Sequence, residues 1–416
     1  MQLCVYFATN RGHEGPERFA PRRYGSRFSS DGMENLRFGR VLFEADEVQV
    51  RALLDQRREH TGAGDGEALQ DYLGKCVAAS QRIECYQESI PDPQVNERAQ
   101  GQAVKLGSAA LFSELQQDMQ QGRDLLVLVH GFNVSWEEAV ATAAAFEAMV
   151  NRVEPALDEG LPAKSVRVLL FTWPSDGAAL PWASYKSDRA DARGTSGALG
   201  RAFLKLRDQL HALGREVRQN SSRVRALREA MADRPQAEVE RAIAQLEATE
   251  LCGQKLHLLA HSMGNYVLQN ALARVYEFSP GNQLPRLFDN VFLCAPDVDD
   301  DALEGEAPLA RVHQVSQSVA IYHNRNDMAL KISDYTKGNP DRLGQGGAAR
   351  PQLLHQKVYQ VDCAALVTGL TQHSYYTNGL VARDIRLALS GLTPKERGLQ
   401  STGQAPNTWA LARRPC

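Results

Sequence analysis

The order of apolar runs along this chain predicts an α/β protein: a mostly parallel central sheet with helices on both faces. Short runs of apolar and β-branched residues recur, and long segments with helical spacing separate them. The runs are almost wholly apolar and do not alternate with polar residues. That is the pattern of strands covered on both sides.

The strands are expected at 2–8 (QLCVYFA), 125–130 (LLVLVH), 166–172 (VRVLLFT), 256–260 (LHLLA), 290–295 (NVFLCA), 318–323 (SVAIYH) and 357–361 (KVYQV). Helical patterns occupy about 45–58, 101–120, 136–153, 197–219, 222–232, 236–250, 264–277 and 378–390. In the long gap between the third and fourth strands, Phe203, Leu206, Leu210, Leu213 and Val217 recur at helical steps. Val239, Ile243 and Leu246 repeat the spacing beyond Pro235. This reads as an elaborated crossover with a charged outer face, the alternative being a helical cap over a site. The expected organisation is an N-terminal extension over 1–120 that joins the sheet and a core over 121–395 with a helical insertion at about 200–250. A polar tail over 396–416 completes it.

Composition excludes several classes. The chain of 416 residues is 43% hydrophobic and 23% charged, with a net charge of -3. That balance gives no electrostatic basis for nucleic acid or an anionic membrane surface as a partner. The longest apolar runs are strand-length, well short of the roughly 18 residues that cross a bilayer. Seven cysteines are scattered without a C-x-x-C pair, which argues against a disulfide framework or a zinc site. The opening MQLCVYFATNRGHEG has no basic segment leading into an apolar one, so a cytoplasmic location is expected. No phosphate-loop or H-E-x-x-H pattern occurs, and GQGG at 344–347 follows a polar loop and reads as a turn. No cofactor or metal is expected, and oligomeric state is left open.

The chemistry centres on LLAHSMGN, 258–265. Ser262 lies between a buried strand and the helical pattern Asn265, Leu268, Leu272, Val275. A serine on such a strand–helix turn projects its hydroxyl at the top of a sheet, near the positive end of the helix. The turn needs small neighbours, and Ala260 and Gly264 supply them. Upstream, VHGFN at 129–133 puts a His-Gly step directly after a strand. There the amide of Phe132 would stand beside that of Met263 to hold an oxyanion. His130 is read as the packed anchor of that loop rather than as a base.

An acid and a base are still required. Asp327 and Asp297 follow successive strands, and Asp327, after the second strand beyond the serine, is preferred, with Asp297 the alternative. The run Asp297, Asp299, Asp300, Asp301 would also suit a helix N-terminus. As a cation loop it lacks the glycine and distal glutamate of a calcium site. Of the histidines beyond Asp327, His373 follows the last strand and is the expected base, whereas His355 precedes that strand at its wrong end. FTWPSDG at 171–177 should line the same edge of the sheet. Trp173 is expected either as a pocket wall or as a packed aromatic. Tyr185, Asp188 and Arg189 would bind a polar substrate or anchor a loop.

Together VHGFN, FTWPSDG, AHSMGN, APDVDDD, RNDMAL and HSYY resemble an uncharacterised bacterial family of α/β-hydrolase-fold proteins with serine esterase character. The opening YFATNR and the later LRFGRV look like that family's first segment. AHSMG is also similar to the elbow of small bacterial lipases, which carry alanine in the same place. The resemblance implies an α/β-hydrolase fold and the triad Ser262, Asp327 and His373. A small-molecule ester is the expected substrate on chemical grounds, since an alcohol leaves more easily than an amine. A thioesterase or acyltransferase on the same triad, or a non-catalytic binding scaffold, are the alternatives.

Overall fold

A computed structural model describes residues 1–58, 62–88, 105–162, 164–176, 181–220, 222–250, 255–279, 284–335, 341–366 and 373–412. Its main sheet has eleven strands. In chain order they are β1 (Gln2–Thr9), β2 (Arg37–Glu44), β3 (Arg82–Cys85), β4 (Arg123–Val129), β5 (Ser165–Thr172), β6 (Leu256–His261), β7 (Phe288–Cys294), β8 (Ser316–His323), β9 (Val358–Asp362), β10 (Gln400–Ser401) and β11 (Thr408–Ala410). Across the sheet they run β10-β11-β9-β8-β7-β6-β4-β5-β1-β2-β3. Every neighbouring pair from β11 to β1 is parallel, while β2 and β10 are antiparallel to their neighbours.

The continuous apolar runs have a direct cause. Successive residues of β4 point to opposite faces. Leu126 and Leu128 join one core, against the helices Gly66–Ser80, Trp136–Asn151 and Gly379–Leu389. Leu125, Val127 and Val129 join the other, against Gly107–Gln120, Pro181–Asn220 and Gly264–Phe278. With a core on each side Leu125–Val129 are apolar throughout, and each large side chain contributes about 1.5–3 kcal/mol by burial.

The first 120 residues are more regular than their sequence suggests. β1 lies inside the sheet beside β5, and β2 and β3 continue that edge. β2 (RFGRVLFE) escapes a pattern reading because Gly39 breaks it. A Cβ there would lie 2.4 Å from Glu84 O and 2.8 Å from the Phe7 ring, so the strand needs the gap. The helix Gly66–Ser80, with Leu69, Leu73 and Val77 buried at four-residue steps, starts at Asp65, whose side chain accepts from Ala68 N at 3.1 Å. The helix expected from 197 begins earlier, at Pro181, and the expected tail supplies β10 and β11. Among the described residues, no helix is long and apolar enough to cross a membrane.

Candidate active site

Among the described residues, three non-glycine residues have positive φ, and each follows the carboxyl end of a central strand: Asn133 (56°) after β4, Ser262 (52°) after β6 and Ala295 (45°) after β7. β4, β6 and β7 are adjacent in the sheet, so backbone strain is gathered at one place on its carboxyl edge. Ser262 N donates to Cys294 O at 2.9 Å and Ser262 O accepts from Asp297 N at 3.2 Å, which ties the turn to the neighbouring strand end. Asn265 Nδ2 donates to Ala260 O at 2.9 Å and to Ser262 O at 3.1 Å, closing the turn from below.

The small residues of the elbow are explained by close approach. A Cβ on Gly264 would lie 2.6 Å from both Val129 O and His130 O. A Cβ on Gly131 would lie 2.9 Å from Ser262 Cβ. The loop after β4 and the turn after β6 are therefore in contact through their backbones. Ala260 is wholly buried in the same core as the helix Gly264–Phe278.

Asp327 and His373 are brought together. His373 Nδ1 lies 2.7 Å from Asp327 Oδ2. The other oxygen of Asp327 accepts from Ala329 N at 3.0 Å and Leu330 N at 3.2 Å, so the carboxylate caps the helix Met328–Tyr335 while it holds the imidazole. His373 Nε2 is buried and has no hydrogen-bond partner among the described residues. Burial opposes charge on this ring, but the Asp327 carboxylate, its hydrogen bond and the nearby Asp297 outweigh that and raise its pKa above the ordinary value. Beneath it lies His261, with ring centroids 4.8 Å apart and His261 Nε2 3.3 Å from His373 O. Burial, then the neighbouring His373 charge, drive His261 far below its ordinary pKa, so it serves as a neutral donor.

Asp297 is engaged elsewhere. Tyr185 Oη donates to Asp297 Oδ2 at 2.8 Å, and Arg342 Nε lies 3.4 Å from Oδ1. No helix starts at the acidic run. Asp299 instead pairs with Arg342, which the strand-like bridge between these residues brings alongside. His355 lies exposed at the amino end of β9, stacked on His313. Trp173 is wholly buried, stacked 5.3 Å from the His130 ring, with Nε1 donating to His130 O at 3.0 Å. It packs the loop and offers no open wall. Tyr185 meets the Phe132 ring edge-on at 5.5 Å. Asp188 takes Asn133 N at 2.7 Å, Ser175 Oγ at 2.7 Å and Asp176 N at 3.0 Å, and so anchors the loop. Gly177, the end of FTWPSDG, lies outside the described residues.

Among the described residues neither Phe132 N nor Met263 N meets an acceptor, although the amides of Asn133 and Val134 beside them do. Oxygens of Asp176, Asp188 and Asp191 come within 4.8 Å of one another, a geometry open to a cation. Burial, then its two acidic neighbours, raise Asp191 to about 6. Sequence reasoning did not single out Arg11 or Thr172, which meet at 2.9 Å beside His130, or His261, which packs on His373. The Asn-Arg step straight after β1 is the signal that could have drawn attention to Arg11.

No curated protein matches the chain. A family model described as alpha/beta hydrolase of unknown function (DUF900) matches residues 108–215 and 225–383, and so covers the three strand ends and the turns after them. With the mostly parallel sheet and its helix layers, the chain belongs to this alpha/beta hydrolase family.

Proposed function

We propose that the protein is a serine hydrolase acting on carboxylic esters, with Ser262 as nucleophile, His373 as base and Asp327 as its orienting acid. The observation that carries this reading is the 2.7 Å contact of His373 Nδ1 with Asp327 Oδ2, which leaves Nε2 without a partner. A serine hydroxyl needs a base to remove its proton, and an imidazole held by a carboxylate at one nitrogen is that base at the other. His373 takes the Ser262 proton as Oγ attacks the ester carbonyl. The amides of Phe132 and Met263 stabilise the oxyanion. The imidazolium then protonates the leaving alcohol, and a water deprotonated by the same ring releases the acid and restores the serine.

Tyr185 is assigned a polar contact with the substrate, a reading supported by its ring, which meets that of Phe132, and its hydroxyl, which meets Asp297. Cys4, Cys76, Cys85, Cys294 and Cys363 are free thiols, which fits a reducing, cytoplasmic setting. The test is labelling with a fluorophosphonate probe, followed by assay of aryl esters of increasing acyl length. Native protein should label and turn over, and Ser262→Ala should do neither. Turnover that survives Ser262→Ala overturns the reading.

A further inference from the structure

Arg11 follows β1, in a segment that the family match does not cover. Its side chain is buried, and among the described residues it forms no ion pair with a carboxylate. Taking a cation out of water costs several kcal/mol, so a guanidinium kept this way is there for its geometry. Apart from Gly25, its partners lie at the carboxyl ends of β4 and β5 and in the loops after them. Nε donates to Thr172 Oγ1 at 2.9 Å, one terminal nitrogen donates to Gly25 O at 3.1 Å and Ser175 O at 3.3 Å, and the other donates to Val134 O at 2.7 Å. That last nitrogen also lies 3.5 Å from His130 Nε2.

These contacts settle which nitrogen of His130 carries the proton. Nδ1 lies 2.8 Å from Gly131 O, and a carbonyl can only accept, so Nδ1 is the donor. Nε2 then carries the lone pair. It accepts Trp173 N–H at 3.2 Å and the Thr172 hydroxyl at 2.9 Å, the hydroxyl whose oxygen is taken by Arg11. Burial, then the Arg11 charge, push His130 down to about 3, so the ring is neutral at ordinary pH. The Gly131–Phe132 peptide is trans, so its carbonyl and its N–H point in opposite directions. Holding Gly131 O on His130 therefore turns Phe132 N–H away from that ring.

We propose that Arg11 is a positioning residue for the oxyanion loop: with Thr172 it keeps the lone pair of His130 on Nε2, and His130 holds Gly131 C=O so that Phe132 N–H faces the developing oxyanion. This rests on the serine-hydrolase reading above. The first 107 residues thereby complete the site, although the family match begins beyond them.

The experiment compares native protein, Arg11→Lys and Arg11→Ala in four readouts: thermal melting, aryl-ester kcat and KM, inhibition by an aryl boronate, and the ring ¹⁵N spectrum of His130. A displacement of about 1 Å in a catalytic donor costs on the order of a hundredfold. We expect kcat to fall tenfold to a hundredfold in Arg11→Lys with KM within about twofold. Boronate affinity should fall in parallel, because the tetrahedral adduct needs the amide. The His130 spectrum should lose its pure Nδ1–H signature. For Arg11→Ala, added guanidinium should restore part of kcat.

Native-like kcat in Arg11→Lys, or a loss accounted for by its unfolded fraction, overturns the proposal. An unchanged His130 tautomer in a folded, slow Arg11→Lys also overturns it. If native protein neither labels with fluorophosphonate nor hydrolyses esters, the serine-hydrolase reading fails and this proposal with it. An active native enzyme beside an equally active variant removes the Arg11 assignment alone.

Discussion

Asp327 Oδ2 lies 2.7 Å from His373 Nδ1, while Asp297, one strand nearer to Ser262, gives its oxygens to Tyr185 and Arg342. Two carboxylates near one histidine thus have separate partners. Asp327→Asn should lower kcat for ester hydrolysis by about 10³–10⁴, the scale seen when a triad loses its orienting acid. Asp297→Asn should cost less than about tenfold. Steady-state kinetics on both variants decide it, and the reverse ranking would hand the role to Asp297.

The raised pKa of His373 sets the pH dependence. In the proposed mechanism His373 works as neutral imidazole, so kcat/KM should fall as pH drops through the raised value, with the acid limb above the ordinary 6.5. Asp297 is one of the charges that favour the cation. Removing it in Asp297→Asn should let the ring lose its proton at lower pH, shifting the acid limb downward. A pH–rate profile on native protein and the variant checks both the position and the direction.

Ser262 holds φ at 52°, a left-handed conformation that costs an L-residue about 1–2 kcal/mol and glycine nothing. Against this, glycine loses about 0.5–1 kcal/mol more on folding. Ser262→Gly should therefore melt slightly higher than native protein, by about 0.5–1 kcal/mol, while losing all ester turnover. A lower melting temperature would mean that the hydroxyl contributes more to stability than the backbone strain costs.

The two small residues of the elbow should respond differently. Gly264→Ala pushes a methyl to 2.6 Å from Val129 O and His130 O, and backbone cannot yield as a side chain does. We expect a loss of about 3 kcal/mol and of activity. Ala260→Gly removes one buried methyl and loosens a strand, about 1 kcal/mol, and leaves kcat within about threefold. Denaturant melts and kinetics of the pair test whether smallness, rather than glycine itself, is what position 260 requires.

Much of this molecule was legible in its sequence because buried parallel strands cannot hide. β4, β5, β6, β7, β8 and β9 each contain an apolar run buried on both faces, and each stands within two residues of where its run predicts it. The candidate serine, acid and base could be named for a similar reason: each follows a recognisable strand end, and the chain order carries the rest. β2 and β3 were not legible: β2 carries a glycine for close approach among charged residues, and the edge strand β3 is only four residues long, so neither has a clean period.

What only the tertiary structure decided is who meets whom. Sequence left Asp327 and Asp297 as alternatives, and packing separated them by placing Arg342 beside one and His373 beside the other. Trp173 could have been a wall or a support, and full burial against His130 made it a support. Arg11, distant in sequence from every turn it braces, is visible only once β1 lies beside β5. Local sequence determines a strand because burial of its own side chains is a local matter. A hydrogen-bond partner across the sheet depends on register and strand order, and those emerge only when the whole core is assembled.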